Sequence, residues 1–525
     1  MENDSGQSTS LWMASTSLPN SVMPLTQDIE TDVCVVGAGI AGMTTAYLLR
    51  RAGKRVVVLD DGPVGGGETG RTTAHLANAI DDRYCEIERL HGERGARLAA
   101  ESHTAAIAQI EAIVREEQID CDFARLDGYL FLGPGDPPSL LEEEFAAAQR
   151  AGLPVRWVER APLAAFDTGR CLCFPDQGQF HPLQYLAGVT AALEQAGGLL
   201  FTHTHVTDIE EEKSLCRVKG AGFTVSARDV VVATNSPINN LVVLHTKQAP
   251  YRTYVIGLRV PAGSVTQALY WDTCDPYHYV RLQSFSTSNT PPNEDKTGYN
   301  LLIVGGEDHK TGQADDGEQR FARLEAWTRE RFKVAENVEF RWSGQVMETV
   351  DGLAFIGRNP LGSEHVYIVT GDSGMGMTHG TIAGILLTDL ITGRDNEWAT
   401  LYDPRRLTPG ALGTFLRENL NVAVQYKDWL TPGDDPAQIP PGSGTVIRRG
   451  LLKVAAYRDE QGVLHEHSAS CTHLGCIVAW NSEEKTWDCP CHGARYDPYG
   501  KVVTGPATDP LAPVGQRRVE PGSGA

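Results

Sequence analysis

The sequence predicts an α/β (α+β) dinucleotide-binding domain of Rossmann type interleaved with a mixed-sheet domain, followed by a small all-β domain holding a metal centre. Three observations predict it. A glycine turn, Gly37-Ala-Gly39-Ile-Ala-Gly42, separates a valine-rich run from a helical one. Nucleotide-type strands recur in the middle (228–234) and near the end (353–370) of the same unit, with strand-like sequence between them. Four cysteines, Cys471, Cys476, Cys489 and Cys491, fall within 21 positions, together with His473 and His492.

A chain of 525 residues suggests about three domains of roughly 150 residues each. Its 41% hydrophobic and 22% charged residues are ordinary for globular proteins. A net charge of −21 argues against nucleic acid and against an anionic membrane surface, both of which would repel it. No run approaches the roughly 18 apolar residues of a membrane span. Residues 1–24 are Ser-rich and acidic, without a basic start or apolar core, so no export signal is read there. These features lead us to expect a soluble, cytoplasmic protein. In that compartment a tight cysteine cluster points to metal more than to a disulfide scaffold.

From Asp32 the pattern is strand, glycine turn, helix (40–52) and strand (55–59), a βαβ unit with buried parallel strands. A long helix is expected over 84–117. Strands are expected at 228–234, 253–260, 300–304, 353–357 and 365–370, and a helix over 375–392. Nucleotide-type elements thus flank and interrupt the middle region, so two interleaved domains fit better than two in tandem. The expected organisation is a flexible leader at 1–29 and an oxidoreductase unit at 30–405. A linker helix with Pro/Gly-rich flanks follows at 406–436, then the β-domain at 437–525.

Each residue of the turn has a task. Gly37 permits the tight turn, Gly39 lets backbone amides approach a pyrophosphate, and Gly42 allows close helix–strand packing. The helix N-terminus offers positive partial charge to phosphate. Asp60 ends the second strand, 18 residues beyond Gly42, where it can accept from an adenosine ribose. With the segments Gly65-Gly-Gly-Glu-Thr-Gly70-Arg71-Thr72-Thr73, Val230-Val-Val-Ala-Thr-Asn235, Asp351-Gly-Leu and Gly371-Asp-Ser-Gly374-Met-Gly376-Met377-Thr378, the region from about 30 to 405 resembles the D-amino-acid oxidase, glycine oxidase and sarcosine oxidase family. The resemblance implies FAD, with Arg71 and Thr72 in the flavin-contacting segment and Val206 beside adenine. Gly374, Gly376 and Met377 open a helix whose dipole can stabilise negative charge on a reduced ring. His75, in Thr72-Thr-Ala-His75, matches a histidine that some relatives link to flavin. Packing or hydrogen bonding is expected of it here, with covalent linkage the alternative.

Cys471-Thr-His473 and, after fifteen intervening residues, Cys489-Pro-Cys491-His492 resemble the Rieske [2Fe-2S] pattern. Cys471 and Cys489 would bind one iron, and His473 and His492 the other. Two Cys and two His could also hold zinc, but zinc fingers favour Cys-x-x-Cys and spaced His pairs over mixed boxes. The Rieske resemblance implies a disulfide between Cys476 and Cys491 and a hydrogen bond from Tyr496 to a ligand sulfur. Ala494 departs from the pattern, because a serine there donates to a bridging sulfide, so an intermediate potential is expected. Gly505-Pro506-Ala507 resembles the loop that covers the cluster. The whole chain resembles bacterial FAD-dependent oxidoreductases that carry a Rieske domain.

The family resemblance implies oxidation of a C–N bond in a small-molecule amine or amino acid, with electrons leaving singly through the cluster to an external redox partner. The alternatives are a cluster that receives electrons from a donor and reduces the flavin, or a non-catalytic electron carrier. For the substrate pocket, Tyr277, Tyr279 and Arg281 fall on one face of a probable strand. Arg281 is the candidate for gripping a carboxylate.

Overall fold

The valine-rich runs around the glycine turn form the middle of a sheet in the order Phe355–Arg358, Val366–Thr370, Phe223–Val232, Ile29–Val36, Val56–Leu59, Leu199–Phe201. All strands but the first run parallel. Val33 and Val35 enter one apolar cluster while Cys34 and Val36 enter another. Both faces of this strand are therefore buried, which is why its residues read as a continuous apolar run. The computed structural model describes residues 5–16, 23–239, 244–285, 299–360 and 362–514.

Helices Ile40–Arg51 and Gly376–Thr392 pack side by side on this sheet. A Cβ on Gly380 would lie 2.8 Å from Ile40, and one on Gly384 2.7 Å from Thr44, so the close approach depends on glycine. The expected helix over 84–117 forms as Tyr84–Glu116, interrupted at Gly92, whose φ is +72°.

The second sheet is mixed, in the order Val338–Thr349, Gln248–Pro261, Tyr299–Lys310, Tyr279–Phe285, Leu269–Asp272, Ala124–Phe131, Cys171–Gln179, His75–Leu76. Its strands come from both sides of the central parallel strand Phe223–Val232, so the two domains are interleaved as expected. Alternation along Tyr279–Phe285 sends Val280 and Leu282 toward Phe321 and Leu324 of helix Gly317–Arg331. Tyr279 faces the first domain with Val255 and Ile303.

The C-terminal domain has a three-stranded sheet (Ser443–Arg449, Leu452–Arg458, Leu464–Ser468) and a four-stranded one (Ala479–Asn481, Thr486–Asp488, Arg495–Tyr496, Val502–Thr504). Helix Leu412–Gln425 precedes it within the expected linker. Tyr426 donates to the Leu474 carbonyl at 2.7 Å and Trp429 to that of Gly475 at 3.1 Å, so the segment after this helix is held on the β-domain.

The expectation of a flexible leader at 1–29 is corrected for residues 5–16. Leu11–Ser15 is a short helix with Leu11 and Trp12 in the core. Trp12 donates to the Thr72 carbonyl at 2.6 Å and Ser10 to that of Gly70. Residues 1–4 and 17–22 of that segment lie outside the described residues.

Residues 5–8 lie between the oxidoreductase unit and the β-domain, beside a buried set of charges. Arg71, Arg252 and Arg495 face Glu484 and Asp488, every one of these side chains at most 1% exposed. Arg71 Nη1 lies 3.2 Å from Glu484 Oε1, and Arg495 Nε 3.2 Å from Asp488 Oδ1. Arg252 lies 3.6 Å from Asp488 and 3.9 Å from Glu484. Ser8 donates through its amide and hydroxyl to Glu484 at 3.0 and 2.6 Å, and Arg71 donates to the Gly6 and Ser8 carbonyls. Against a desolvation that would raise it, the three arginines hold Glu484 down to about 2.

Removing one member strands its partners in a low-dielectric site. Glu484→Gln is expected to cost about 3–5 kcal/mol and to expose the segment between residues 405 and 440 to protease, as read by thermal unfolding and limited proteolysis. Because the folded carboxyl is depressed, its contribution is full above its ordinary value of 4.5 and disappears as pH falls toward about 2.

Candidate active site and metal centre

A continuous cleft runs between the two sheets. At one end it is lined by Gly37, Gly39, Asp60 and Val206, and further along by the backbone of residues 71–73, His75 and the helix start at Gly374, Gly376 and Met377. At the first end Asp60 accepts from the Ala38 amide at 2.5 Å and the Gly62 amide at 2.8 Å, fixing the glycine turn. Gly37 has φ +109°, and a Cβ there would lie 2.4 Å from the Ala233 carbonyl oxygen. A Cβ on Gly42 would lie 1.8 Å from the Gly37 oxygen, so the helix can start against the turn only with glycine at that position. A bare-backbone cradle at a helix N-terminus, with an acid beyond it, fits the pyrophosphate and ribose of FAD.

At the other end the residues expected from sequence divide. Thr72 and His75 line the cleft. The His75 Nδ1 pairs with Thr73 Oγ1 at 3.0 Å, while its Nε2 is buried without a hydrogen-bond partner. Burial, aided by Arg281, pushes His75 down to about 3, so the ring stays neutral. Arg71 lines the cleft, and its guanidinium donates to Ser343, Glu484, Gly6 and Ser8 in the buried charges described above.

Tyr277 and Tyr279 line the cleft as expected, their rings 5.3 Å apart. Tyr277 donates to Asp81 at 2.7 Å, and the Tyr279 hydroxyl pairs with Thr253 at 2.6 Å. Arg281, expected to grip a carboxylate, is sealed behind them and is not part of the lining. It is fully buried and donates to the carbonyls of Thr73, Ala74 and Phe180, with Trp12 over its guanidinium at 5.3 Å. Burial pushes its pKa down to about 9. Its place on the strand is right, but the backbone of 73–74 reaches its guanidinium first.

Sequence reasoning missed the acids of this end: Asp81, Asp308, Glu348 and Asp372. Asp372 stood inside a motif already singled out, Gly371 to Thr378. Burial, with Asp82, Asp308 and Asp372 nearby, pushes Asp81 up to about 7. Burial also raises Asp308 and Asp372 to about 6, and Glu348 well above its ordinary value. A Cβ on Gly374 would lie 1.9 Å from Asp81 Oδ2, so an acid faces the helix start offered to the ring.

In the β-domain the four expected metal ligands converge. Cys471 and Cys489 share a hydrogen bond, and the rings of His473 and His492 lie 5.0 Å apart. The Nδ1 of His492 is buried with no hydrogen-bond partner, as a ligand nitrogen is before its metal is counted. Cys476 and Cys491 form the expected disulfide, S–S 1.91 Å. Tyr496 Oη lies 3.2 Å from Cys471 Sγ, and the Ala494 side chain is fully buried. Two thiols and two imidazoles on paired loops fit a [2Fe-2S] centre with mixed ligation.

The ligand loop rests on the oxidoreductase unit. Gln345, which lines the cleft, donates to the Gly493 carbonyl at 3.1 Å. His245, from the oxidoreductase unit, packs against both ligand rings, 4.8 Å from His473 and 5.7 Å from His492. Val502, Thr504, Gly505, Ala507 and Thr508 join the cleft lining, and His205 pairs with the Thr508 carbonyl at 3.1 Å. The loop expected to cover the metal centre thus also borders the cleft.

Comparison with known proteins agrees with this division. The family described as FAD dependent oxidoreductase matches residues 32–390, and the Rieske [2Fe-2S] domain matches residues 431–515. A Bacillus subtilis protein, YhfW, named for a Rieske 2Fe-2S centre, is 32% identical over 505 residues, 95% of this chain and 96% of its own length. Gamma-glutamylputrescine oxidoreductase of Escherichia coli is 27% identical over 70% of this chain and 85% of its own. Glycine oxidase from Geobacillus kaustophilus superposes with a TM-score of 0.58 at 20% identity, covering 72% of this chain and 99% of its own.

Gly42→Ala is expected to weaken FAD retention about 10- to 100-fold through the forced shift of the glycine turn, as measured by flavin content and by titration of the stripped protein. Ala494→Ser restores a hydroxyl donor beside the cluster. Spectroelectrochemistry is expected to show a higher cluster potential with unchanged flavin absorbance.

Proposed function

The chain belongs to the family of FAD dependent oxidoreductases and carries a Rieske [2Fe-2S] domain, and from this premise we propose that it is a dehydrogenase oxidising a C–N bond of an amine or amino acid, its electrons leaving singly through its own cluster to an external acceptor. The observation that carries this reading is the seat of the ligand loop: Gly493, next to His492, accepts from Gln345, a residue of the cleft wall. Bound FAD supplies two-electron acceptance and one-electron release, and the cluster takes one electron at a time.

The protein's own residues do the rest. The turn at Gly37–Gly39 holds phosphate, and the backbone of 71–73 and the helix start at Gly376 border the ring end of the cleft. Tyr277 donates to Asp81 at 2.7 Å in the substrate end, where Asp81, with its pKa raised to about 7, can accept a proton near neutral pH. Trp271, Tyr279 and His75 enclose this end with ring faces and edges that exclude water. The relative named for gamma-glutamylputrescine supports an amine as substrate class. The reading includes a cytoplasmic location and an external redox partner as acceptor. Among the described residues no helix is long and apolar enough to cross a membrane.

The test is anaerobic titration with amines and amino acids, followed by visible absorbance and electron paramagnetic resonance. Flavin bleaching followed by a reduced Rieske signal is expected. Bleaching that never reaches the cluster would overturn the internal route, and reduction only by an external donor would reverse its direction. Gly493→Ala places a Cβ 2.6 Å from Pro250 and 2.9 Å from Gln345. It is expected to slow cluster reduction while leaving the bleaching step unchanged.

A further inference from the structure

The charges around the substrate end of the cleft identify what enters it. The lining contains Asp81, Asp308, Glu348 and Asp372, and among the described residues the only lysine or arginine in it is Arg71. That guanidinium is committed to Ser8, Gly6, Ser343 and Glu484, away from the cleft. Arg281 is sealed behind the tyrosines on backbone carbonyls. Arg320, whose charge acts on Asp308, donates to the Glu307 and Asp308 carbonyls and to Asp316. Among the described residues a substrate carboxylate would therefore meet no free cation here, and it would face the carboxyls of Asp308 and Asp372.

The acids are also underused by the protein itself. Asp308 Oδ1 is buried with no hydrogen-bond partner, on a wall of the cleft. Asp81 has one side-chain donor, Tyr277, and each of the four acids raises Glu348 or is raised alongside it by their proximity. Carboxylates crowded in one low-dielectric cleft repel one another unless a cation enters among them. The remaining wall, Tyr277, Tyr279 and Trp271, offers aromatic surface suited to ammonium groups and methylene chains.

We propose that the substrate is a di- or polyamine carrying no free carboxylate: one nitrogen is presented for oxidation while a second, cationic nitrogen is held by Asp308 and its neighbouring acids. This narrows the substrate class of the reading above and rests on it for the identity of the site, while its binding step can be measured separately.

The experiment is calorimetry on the FAD-loaded full chain under anaerobic conditions. The probes are 1,4-diaminobutane, spermidine, butylamine, glycine, proline and glutamate. The two polycations are expected to bind at least about tenfold more tightly than butylamine, with no detectable heat from the three amino acids. Asp308→Asn, which is isosteric and keeps an acceptor oxygen for the Thr253 hydroxyl, is expected to weaken 1,4-diaminobutane about tenfold and to leave butylamine unchanged. Asp81→Asn is the second variant, and retained flavin content and an unchanged unfolding temperature establish that both fold. Amino acids that bind and bleach the flavin while the polyamines do not bind would overturn this proposal and leave the oxidation reading intact. Polyamines that bind, with the expected loss in Asp308→Asn, but never bleach the flavin would overturn the oxidation reading and leave this one standing.

Discussion

Three arginines, two acids and residues 5–8 packed into one buried layer set the arrangement of everything else. Arg71 belongs to the flavin-facing segment, Arg252 to the second sheet, and Arg495 with Glu484 and Asp488 to the β-domain. Desolvating five charges is costly unless every one meets a partner, so such a layer tolerates very few relative placements of the domains that contribute to it. A loosely tethered β-domain would leave these charges in water. Docked, it sets the 489–493 loop on Gln345, Pro250 and His245, and the loop at 502–508 along the rim of the cleft. The charge layer contributes orientation as well as adhesion, and orientation is what a one-electron exchange between two centres requires.

The cleft has opposite electrical character at its ends. At the nucleotide end the start of helix Ile40–Arg51 is a positive terminus suited to phosphates. At the substrate end four carboxylates gather beneath aromatic rings, and a second helix start, at Gly376, faces two of them. That second terminus offsets part of their repulsion, which helps a chain of net charge −21 keep so many acids in one cavity. The same acidity sets this cleft against anionic ligands while its other end is built for one.

What was legible in the sequence was whatever depends on local spacing. The glycine turn, Asp60 at the strand end, the two cysteine–histidine boxes and the alternation that puts Tyr279 and Arg281 on one face all lie within short windows. What was not legible depends on partners far away in sequence. Nothing near Arg281 says that the carbonyls of Thr73, Ala74 and Phe180 will claim its guanidinium. Nothing near Arg71 announces Glu484, 413 residues on. The leader was misread because the apolar run around Leu11 and Trp12 is short; it becomes core when residues 70 and 72 offer carbonyls to Ser10 and Trp12. His245 carried no motif at all, and its role follows from where the β-domain docks.

Residues 5–8 and 484–495 meet across nearly the whole length of the chain, and this contact has a temporal side. A ribosome makes Ser5 long before Arg495, which donates to the Ser5 carbonyl at 2.8 Å. Through most of its synthesis the nascent chain holds Arg71 and Arg252 facing water, with their acids still unmade. The flavin-binding unit can therefore complete its sheets well before its final closure. The metal-ligand loops are open to whatever loads them until the β-domain settles against His245.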